Sequence, residues 1–181
     1  MIPYMASLGW YAAGITGRET VPERGRWNRA YIDTAAGGGM LSVPVRGGAG
    51  TLRHADPATL EVDDTRNWRH VHLGAINAAY GRTPYYQHFA PEVLATVGDR
   101  SLTRLADIAA GIDAAVRRHL HLDALAPQIA SADAATRGRL AGYAAQYDAE
   151  ASADALRLSA LHYLFRYGPD AIFLIARPLL S

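Results

Sequence analysis

The spacing of the apolar residues changes about one third of the way along this chain, and that change limits the folds it can adopt. Residues 27–33 and 40–45 read as strands, the first with a two-residue alternation. From residue 68 onward the apolar residues recur every three or four positions, as on one face of a helix. A compact apolar segment at residues 5–15 predicts another helix before the strands. This pattern predicts an α+β fold, in which an N-terminal helix and a small antiparallel sheet precede a helical C-terminal half.

Glycine and proline residues indicate where the N-terminal elements end. Gly17 follows the first predicted helix at a position that favours glycine. The run Gly37–Gly39 lies between the two predicted strands and favours a hairpin, because glycine adopts positive φ without steric cost. Pro44 cannot donate to a ladder and predicts an edge position. The remaining N-terminal predictions are an edge strand or loop at residues 20–26, a flexible loop at 47–50 and a short strand at 60–62.

The helical half divides at its capping residues and prolines. Asp63, Asp64 and Thr65 are candidate N-caps for the first helix of this half, and Ser101 for the third. Pro91 predicts a kink in the second helix. The predicted helices cover residues 65–80, 84–97, 101–116, 133–147, 155–167 and 170–176.

The chain contains no cysteine and no lysine, and these absences exclude several kinds of chemistry. All 18 basic residues are arginine. Disulfides, thiolate metal sites and thiol nucleophiles are excluded, as are lysine Schiff bases and a P-loop lysine. The formal net charge of +1 shows no basic excess for nucleic acid. We therefore predict no cofactor, no metal site and no nucleic-acid partner.

The length and the longest apolar runs predict a single domain over residues 1–181, located in the cytoplasm. Domains commonly contain roughly 100–200 residues. The N-terminus lacks the charged leader and apolar run of a signal peptide. The longest apolar run, residues 171–176, is far below the ~18 residues that a membrane span requires. No membrane association is expected, and the oligomeric state stays open.

His72 is the strongest catalytic candidate. In a helix, His72 shares a face with Trp68 and Ile76, whereas His70 points elsewhere. The two histidines therefore cannot chelate one metal ion from a regular helix. A histidine on the buried face can act as a general base near neutral pH. The alternative is a core histidine whose nitrogens bond to the backbone or to a nearby carboxylate.

A second cluster combines Trp27, Asn28 and Arg29. In a strand, Trp27 and Arg29 share one face and Asn28 takes the other. The arginine guanidinium binds carboxylates and phosphates, and tryptophan offers it a stacking surface. The cluster could recognise an anionic group of a substrate. The alternative is a surface salt bridge beside a core aromatic residue.

Several segments share an order and spacing with one protein family. They are Pro3-Tyr4 with Gly9-Trp10-Tyr11, then Trp27-Asn28-Arg29, then Leu41–Val45, then Trp68, His72, Ile76, Tyr80, Pro84 and Tyr85, and finally Leu158-Ser159 through Leu164-Phe165 to Gly168-Pro169. Together they resemble the WbqC-like protein family. The chain departs from the family pattern in two places. The segment at residues 121–155 is short and alanine-rich. The N-terminal segment lacks the glutamine and asparagine often found around the proline that corresponds to Pro3.

The resemblance implies a role in O-antigen, amino-sugar or specialised-metabolite biosynthesis. It suggests acyl or aminoacyl transfer, or a related cyclisation, from an activated thioester to an amine without a cofactor. His72 would be the general base, and Asn28 and Arg29 would orient the reacting group. The expected partner is a small-molecule substrate, which a carrier protein could deliver. The substrate-binding candidates are Tyr4, Trp27, Trp68, Tyr80 and Tyr85.

Two other functions stay open. The chain could be a non-catalytic accessory module that binds a carrier protein or a partner biosynthetic enzyme. A metal-dependent hydrolase is the weaker alternative, because no residues in the sequence have the spacing typical of metal ligands.

Overall fold

The order of the elements matches the predicted architecture. The computed structural model of the protein describes residues 1–18, 26–150 and 157–180. The two strands are β1 (Arg29–Thr34) and β2 (Gly37–Ser42), and they form an antiparallel pair. The helices in the described ranges are α1 (Leu8–Ile15), α2 (Gly48–His54), α3 (Trp68–Tyr80), α4 (Tyr86–Gly98), α5 (Leu105–His119), α6 (Leu122–Ser131), α7 (Ala134–Ala144), α8 (Ala160–Tyr167) and α9 (Ala171–Leu180), with 3₁₀ turns at Pro57–Thr59, Ala145–Glu150 and Gly168–Asp170. The predicted α+β fold is confirmed.

Helix α1 begins at a side-chain cap and ends at a glycine. The Ser7 side chain accepts a hydrogen bond from the backbone N–H of Trp10, so that a donor of the first turn has a partner. Met5 has φ of 46°, and the helix therefore begins three residues later than predicted. Gly17 has φ of 70° just beyond the end of the helix, which confirms its predicted role.

The hairpin differs from the prediction in the length of its turn. Thr34 pairs with Gly37, so Ala35 and Ala36 form the turn. The three glycines belong to β2 rather than to the loop, and only Gly37 of the three has positive φ, at 100°. β2 ends at Ser42, before the predicted end of the strand. The observed turn lies within the predicted connection at residues 34–39 but is shorter, because the glycines pair with β1.

The helical half closes the outer edge of β1. The carbonyl of Tyr31 accepts a hydrogen bond from the backbone N–H of Ser159 at 2.8 Å. The backbone N–H of Asp33 donates to the Tyr80 hydroxyl at 3.0 Å. The outward-facing backbone groups of β1 therefore have partners from α3 and from the start of α8.

Several predicted boundaries are wrong because polar side chains bond elsewhere. Asp64 accepts hydrogen bonds from the side chains of Trp68 and Arg69 rather than capping a helix, and α3 begins at Trp68. Ser101 bonds to Asp99, and α5 begins only at Leu105. Four other segments differ from the prediction. Residues 48–50 of the predicted loop form the first turn of α2, and residues 61 and 62 form isolated bridges instead of a strand. Helix α6 at residues 122–131 was not predicted, and residues 177–180 extend α9.

Two predictions fall on residues that the structure leaves undescribed. Most of the predicted edge strand or loop lies within residues 19–25, and the start of the predicted helix at 155–167 lies within residues 151–156. None of the described helices combines the length and the apolar content that a bilayer crossing requires.

Helix α8 lies at the centre of the core. Its residues from Ala160 to Phe165 are all buried, and Tyr163, Leu164 and Phe165 have no exposed surface. The helix contacts α1, α3, α4, α5 and α9. Because burying such a side chain contributes about 1.5–3 kcal/mol, this helix supplies a large share of the apolar stabilisation.

The segment at the start of α1 is joined to the segment at the start of α8 by backbone hydrogen bonds. The N–H of Leu8 donates to the carbonyl of Leu158 at 3.0 Å, and the N–H of Ala160 donates to the carbonyl of Ala6 at 2.9 Å. Helix α1 also packs against α9. The segment that carries Tyr4 is therefore fixed by the C-terminal helices.

Replacing Gly168 with alanine is expected to lower the free energy of unfolding by about 2–3 kcal/mol. Gly168 has φ of 59°, and an added Cβ would lie 2.7 Å from the Tyr85 ring. The matched control is Gly138→Ala in α7, where nothing lies within 4 Å of the added Cβ. That change is expected to be neutral or mildly stabilising, since alanine favours a helix. Urea denaturation measures both variants, and equal midpoints would contradict the strain at Gly168.

Candidate functional site

His72 lies on the buried face of α3, as predicted. Its exposed fraction is 4%, and Trp68, one turn earlier on the same face, is 5% exposed. His70 is exposed to solvent on another side of the helix. The face that the sequence assigned to each histidine is therefore confirmed.

The His72 ring is held by aromatic neighbours and by one side-chain hydrogen bond. Its Nδ1 lies 2.9 Å from the hydroxyl of Tyr4, which is completely buried. The Trp68 ring stands at 71° to the imidazole with centroids 5.1 Å apart. Tyr4 is in turn fixed by its backbone N–H, which donates to the carbonyl of Trp27 at 2.9 Å. The N-terminal segment and α3 thus meet at this ring.

Burial sets the protonation state of this pair. It lowers the pKa of His72 from 6.5 to about 4, although a hydrogen bond with the backbone of Ser42 opposes the shift. Burial also raises the pKa of the Tyr4 hydroxyl well above its ordinary value. At neutral pH the imidazole is therefore uncharged and the phenol is protonated. A neutral imidazole can accept a proton at whichever nitrogen does not carry hydrogen.

Asn28 approaches the same place from the hairpin. It is 3% exposed and precedes β1. Its Nδ2 donates to the carbonyl of Val43 at 2.6 Å and to the hydroxyl of Ser42 at 3.2 Å. Its Oδ1 is buried and has no hydrogen-bond partner among the described residues. Ser42 itself is exposed, so Asn28 and His72 converge on a residue that solvent and ligands can reach.

Arg29 and Trp27 flank Asn28 and are both partly buried. Arg29 begins β1 and pairs with Ser42 across the hairpin. Its Nε is buried without a hydrogen-bond partner among the described residues. Trp27 contributes its backbone carbonyl to Tyr4 and packs against the core with its ring.

Tyr80 and Tyr85 lie in a different cluster. Tyr80 is eight residues beyond His72 on α3, a rise of about 12 Å. Its ring contacts His162 and Phe165, with centroids 5.7 and 5.5 Å away. The Tyr85 ring stacks on Phe89 at 6.0 Å. The structure thus brings Tyr4, Trp68, His72, Asn28 and the Trp27 backbone together, but it places Tyr80 and Tyr85 toward α8.

With this geometry established, the chain can be compared with known proteins. A model of the WbqC-like protein family matches residues 22–171 of the 181. The chain belongs to the WbqC-like protein family. No curated protein and no solved structure matches it. The matched range contains all the candidate residues except Tyr4, and it runs through the alanine-rich segment at 121–155.

Sequence reasoning missed the role of Arg69 in this WbqC-like protein. Arg69 is 4% exposed, and its guanidinium bonds to the Asp64 carboxylate at 2.8 Å. It also donates to the carbonyls of Val97, Asp99 and Leu102, each at 2.8 Å. The guanidinium carbon lies 4.6 Å from the Trp68 ring centroid. Arg69 therefore fixes the start of α3, where Trp68 supports His72, and the acidic Asp64 five residues earlier was the only sequence signal.

Sequence reasoning also missed Ser42 as a member of the site. It lies within the segment that carried part of the family resemblance, but no serine motif distinguishes it. Only the pairing of Arg29 with Ser42 and the contact with Asn28 bring it to the cluster.

The described structure of this WbqC-like protein has a concave region on α5 and α6. It is an open groove of about 480 Å³ whose polar lining residues are Asp113, Arg117, Arg118, His121 and Asp123. Arg117 bonds to Asp113 at 3.0 Å and to Asp123 at 2.5 Å. These charges are paired within the protein, so the groove offers a ligand little uncompensated charge. In the described part of the chain, no group of three or more His, Asp or Glu residues is arranged to hold a metal ion.

Proposed function

We propose that this protein is a biosynthetic enzyme of O-antigen, amino-sugar or specialised metabolism. It would transfer an acyl or aminoacyl group from an activated thioester to an amine, or promote a related cyclisation, without a cofactor. The observation that supports this function best is the convergence of a neutral, oriented His72 and the buried amide of Asn28 on the exposed Ser42.

His72 has the features that a proton acceptor needs in such a transfer. Both ring nitrogens have partners at rest, the Tyr4 hydroxyl and the backbone of Ser42, so His72 would accept the proton of the amine after one of these hydrogen bonds opens. The amine nitrogen becomes positively charged as it bonds to the thioester carbon, so a weak base is sufficient to remove its proton. The C–S bond then breaks, and the thiolate leaves with the proton that His72 received.

Asn28 and Arg29 would orient the reacting groups in different ways. The N–H of Arg29 Nε has no partner among the described residues, and a guanidinium fixed before reaction is an effective donor to the oxyanion that forms on the carbonyl oxygen. The Nδ2 of Asn28 already donates to Val43 and Ser42, so its unpartnered Oδ1 would accept a hydrogen bond from the amine. Tyr4, Trp27 and Trp68 would shape the substrate site around His72. Tyr80 and Tyr85 would then act by supporting the fold, since their contacts lie toward α8.

One observation favours the alternative, an accessory module that binds a carrier protein or a partner enzyme. The His72 ring already has partners within the protein, the Tyr4 hydroxyl and the backbone of Ser42. A histidine bonded in this way also satisfies the requirements of a core residue. The two functions make different predictions for a His72 variant.

His72→Gln is expected to lower acyl transfer about a hundredfold or more, because glutamine cannot serve as a base. The assay incubates the protein with acyl-CoA or acylated carrier proteins and with amino-sugar nucleotides, and mass spectrometry follows the amide product. The rate of the wild-type protein should stay independent of His72 protonation until the pH approaches about 4.

The matched control is His70→Gln, which changes the exposed histidine two residues away and should retain full activity. Circular dichroism and thermal melting establish that both variants are folded. A folded His72→Gln variant with undiminished turnover would exclude the proposed base. Binding of a carrier protein with no turnover by the wild type would support the accessory module instead.

A further inference from the structure

The two edges of the hairpin differ in whether their backbone groups have partners. On β1, Tyr31 and Asp33 bond to Ser159 and Tyr80, so their backbone groups point away from β2. Their cross-strand partners are Met40 and Gly38. In an antiparallel ladder, both members of such a pair point outward, each to its own side. The N–H and carbonyl groups of Gly38 and Met40 therefore form the outer edge of β2.

This outer edge is open along the described part of the chain. No described residue forms a hydrogen bond to the backbone of Gly38 or Met40 beyond the strand pair. Met40 is 50% exposed, and Gly38 and Ser42 are exposed as well. At its far end the edge reaches Ser42, whose backbone bonds to the His72 ring. The free edge thus leads to the candidate site.

The composition of β2 suits close contact with an extended ligand. Native sheets usually protect an open edge with lysine, proline or a bulge. β2 has the sequence Gly-Gly-Gly-Met-Leu-Ser and contains none of these. An added Cβ at Gly38 would meet nothing within 4 Å, so the space on the Cβ side of the backbone is open there. The edge combines accessible N–H and carbonyl groups with a complete absence of charged side chains.

We propose that the free edge of β2 binds the pantetheine arm of an acyl thioester. This inference rests on the proposed function and identifies its acyl donor. The arm is an extended, uncharged chain with two amide groups, so it can bond to a strand edge as an added strand does. From Gly38 to Ser42 the edge spans about 13 Å at the rise of a strand. With its amides on Gly38 and Met40, the arm places its thioester at Ser42, beside His72 and Asn28.

The test measures binding alone, with S-acetylpantetheine as the probe and no amine present. Met40→Pro removes the outward N–H without removing a bond of the β1–β2 pair, because proline is tolerated at a strand edge. We expect its affinity for the probe to fall at least tenfold. Met40→Ala is the matched control: it keeps the N–H, loses the side chain and should bind as the wild type does. Circular dichroism and thermal melting establish folding.

A second measurement needs no variant. Hydrogen exchange at the backbone amides of Gly38 and Met40 should slow when the probe is added to the wild-type protein. Equal affinity of wild type and folded Met40→Pro, or unchanged exchange at both amides, would overturn the proposal. A wild-type dimer that Met40→Pro dissociates, with no binding of the probe, would overturn it as well and assign the edge to self-association.

The failure of this proposal can be distinguished from the failure of the proposed function. The variant His72→Gln should still bind the probe, since its β2 edge is intact. Binding by both proteins without any transfer to an amine would reject the catalytic proposal and leave the binding site in place. Transfer that requires His72 but is unaffected by Met40→Pro would support the catalytic proposal and reject the binding of the pantetheine arm at the edge of β2.

Discussion

Replacement of Arg69 with alanine is expected to lower the free energy of unfolding by about 3–5 kcal/mol. The buried guanidinium bonds to the Asp64 carboxylate and to the carbonyls of Val97, Asp99 and Leu102. Its removal takes this donor from the carbonyls of Val97 and Leu102, and each unsatisfied buried group costs about 1–3 kcal/mol. Asp64 keeps its hydrogen bond from Trp68, and the Asp99 carbonyl keeps one from the Leu102 N–H. The bonds of Arg69 join the start of α3 to the end of α4 and the segment before α5. Few single changes elsewhere in the chain would break so many contacts between separate elements.

Urea denaturation at pH 7 measures this effect, with Arg66→Ala as the matched control. Arg66 is exposed three residues earlier, and its loss should change the free energy of unfolding by no more than about 0.5 kcal/mol. Asp64→Asn should also destabilise the fold, because the Arg69 side-chain hydrogen bond is the main cause of the lowered pKa of Asp64. An Arg69→Ala variant as stable as Arg66→Ala would show that the polar contacts contribute little.

Acidification from pH 6.5 to pH 4 is expected to cost the fold about 3 kcal/mol through His72 alone. The pKa of His72 is lowered by burial from 6.5 to about 4 in the folded protein. Between these values the unfolded chain binds a proton that the folded protein does not. The free energy of unfolding therefore falls as the pH falls through this window, and the pH dependence due to His72 disappears within about one pH unit above 6.5.

The comparison of His72→Gln with the wild type isolates this contribution. The variant should show a smaller loss of stability between pH 6.5 and pH 4, while the exposed His70→Gln should lose stability as the wild type does. Urea denaturation at pH 7, 5.5 and 4.5 provides the slopes. Parallel slopes for wild type and His72→Gln would show that the imidazole titrates normally in the folded protein.

Periodicity and residue order predicted the parts of this fold that depend on local sequence. The three- and four-residue spacing located α3, α4 and α8, and it placed His72 on the buried face of α3. The family followed from several short motifs in order, and the family match confirms it. These features depend on neighbouring residues, which is why they can be predicted from one sequence.

The errors arise where a distant partner or an unusual backbone angle decides the structure. Asp64 and Ser101 have the side chains of helix caps, but Asp64 bonds to Arg69 and Ser101 to Asp99. Helix α6 begins after His121, which has φ of 48°, a conformation that few non-glycine residues adopt. The sequence pattern contains no sign of such a turn, so it predicts no helix over residues 122–131.

The candidate site was predictable only in part for the same reason. His72 and Trp68 lie one helical turn apart, so their contact follows from spacing. Tyr4 bonds to His72 across 68 positions of the chain, and no local pattern predicts that hydrogen bond. Ser42 joins the site through strand register, which a shift of a single residue would change. The family resemblance supplied Tyr4 and Asn28 as candidates but not their geometry.

The backbone hydrogen bonds of Ala6 and Leu8 with Ala160 and Leu158 also affect the order in which this protein folds during synthesis. A ribosome makes residues 6 and 8 about 150 positions before residues 160 and 158, to which they bond. Until then α1 lacks both its strand-like partner at Leu158 and the surface of α9. The contacts that fix the Tyr4 segment therefore cannot form while the intervening residues are being made. We expect the candidate site to form only after α8 and α9 have emerged.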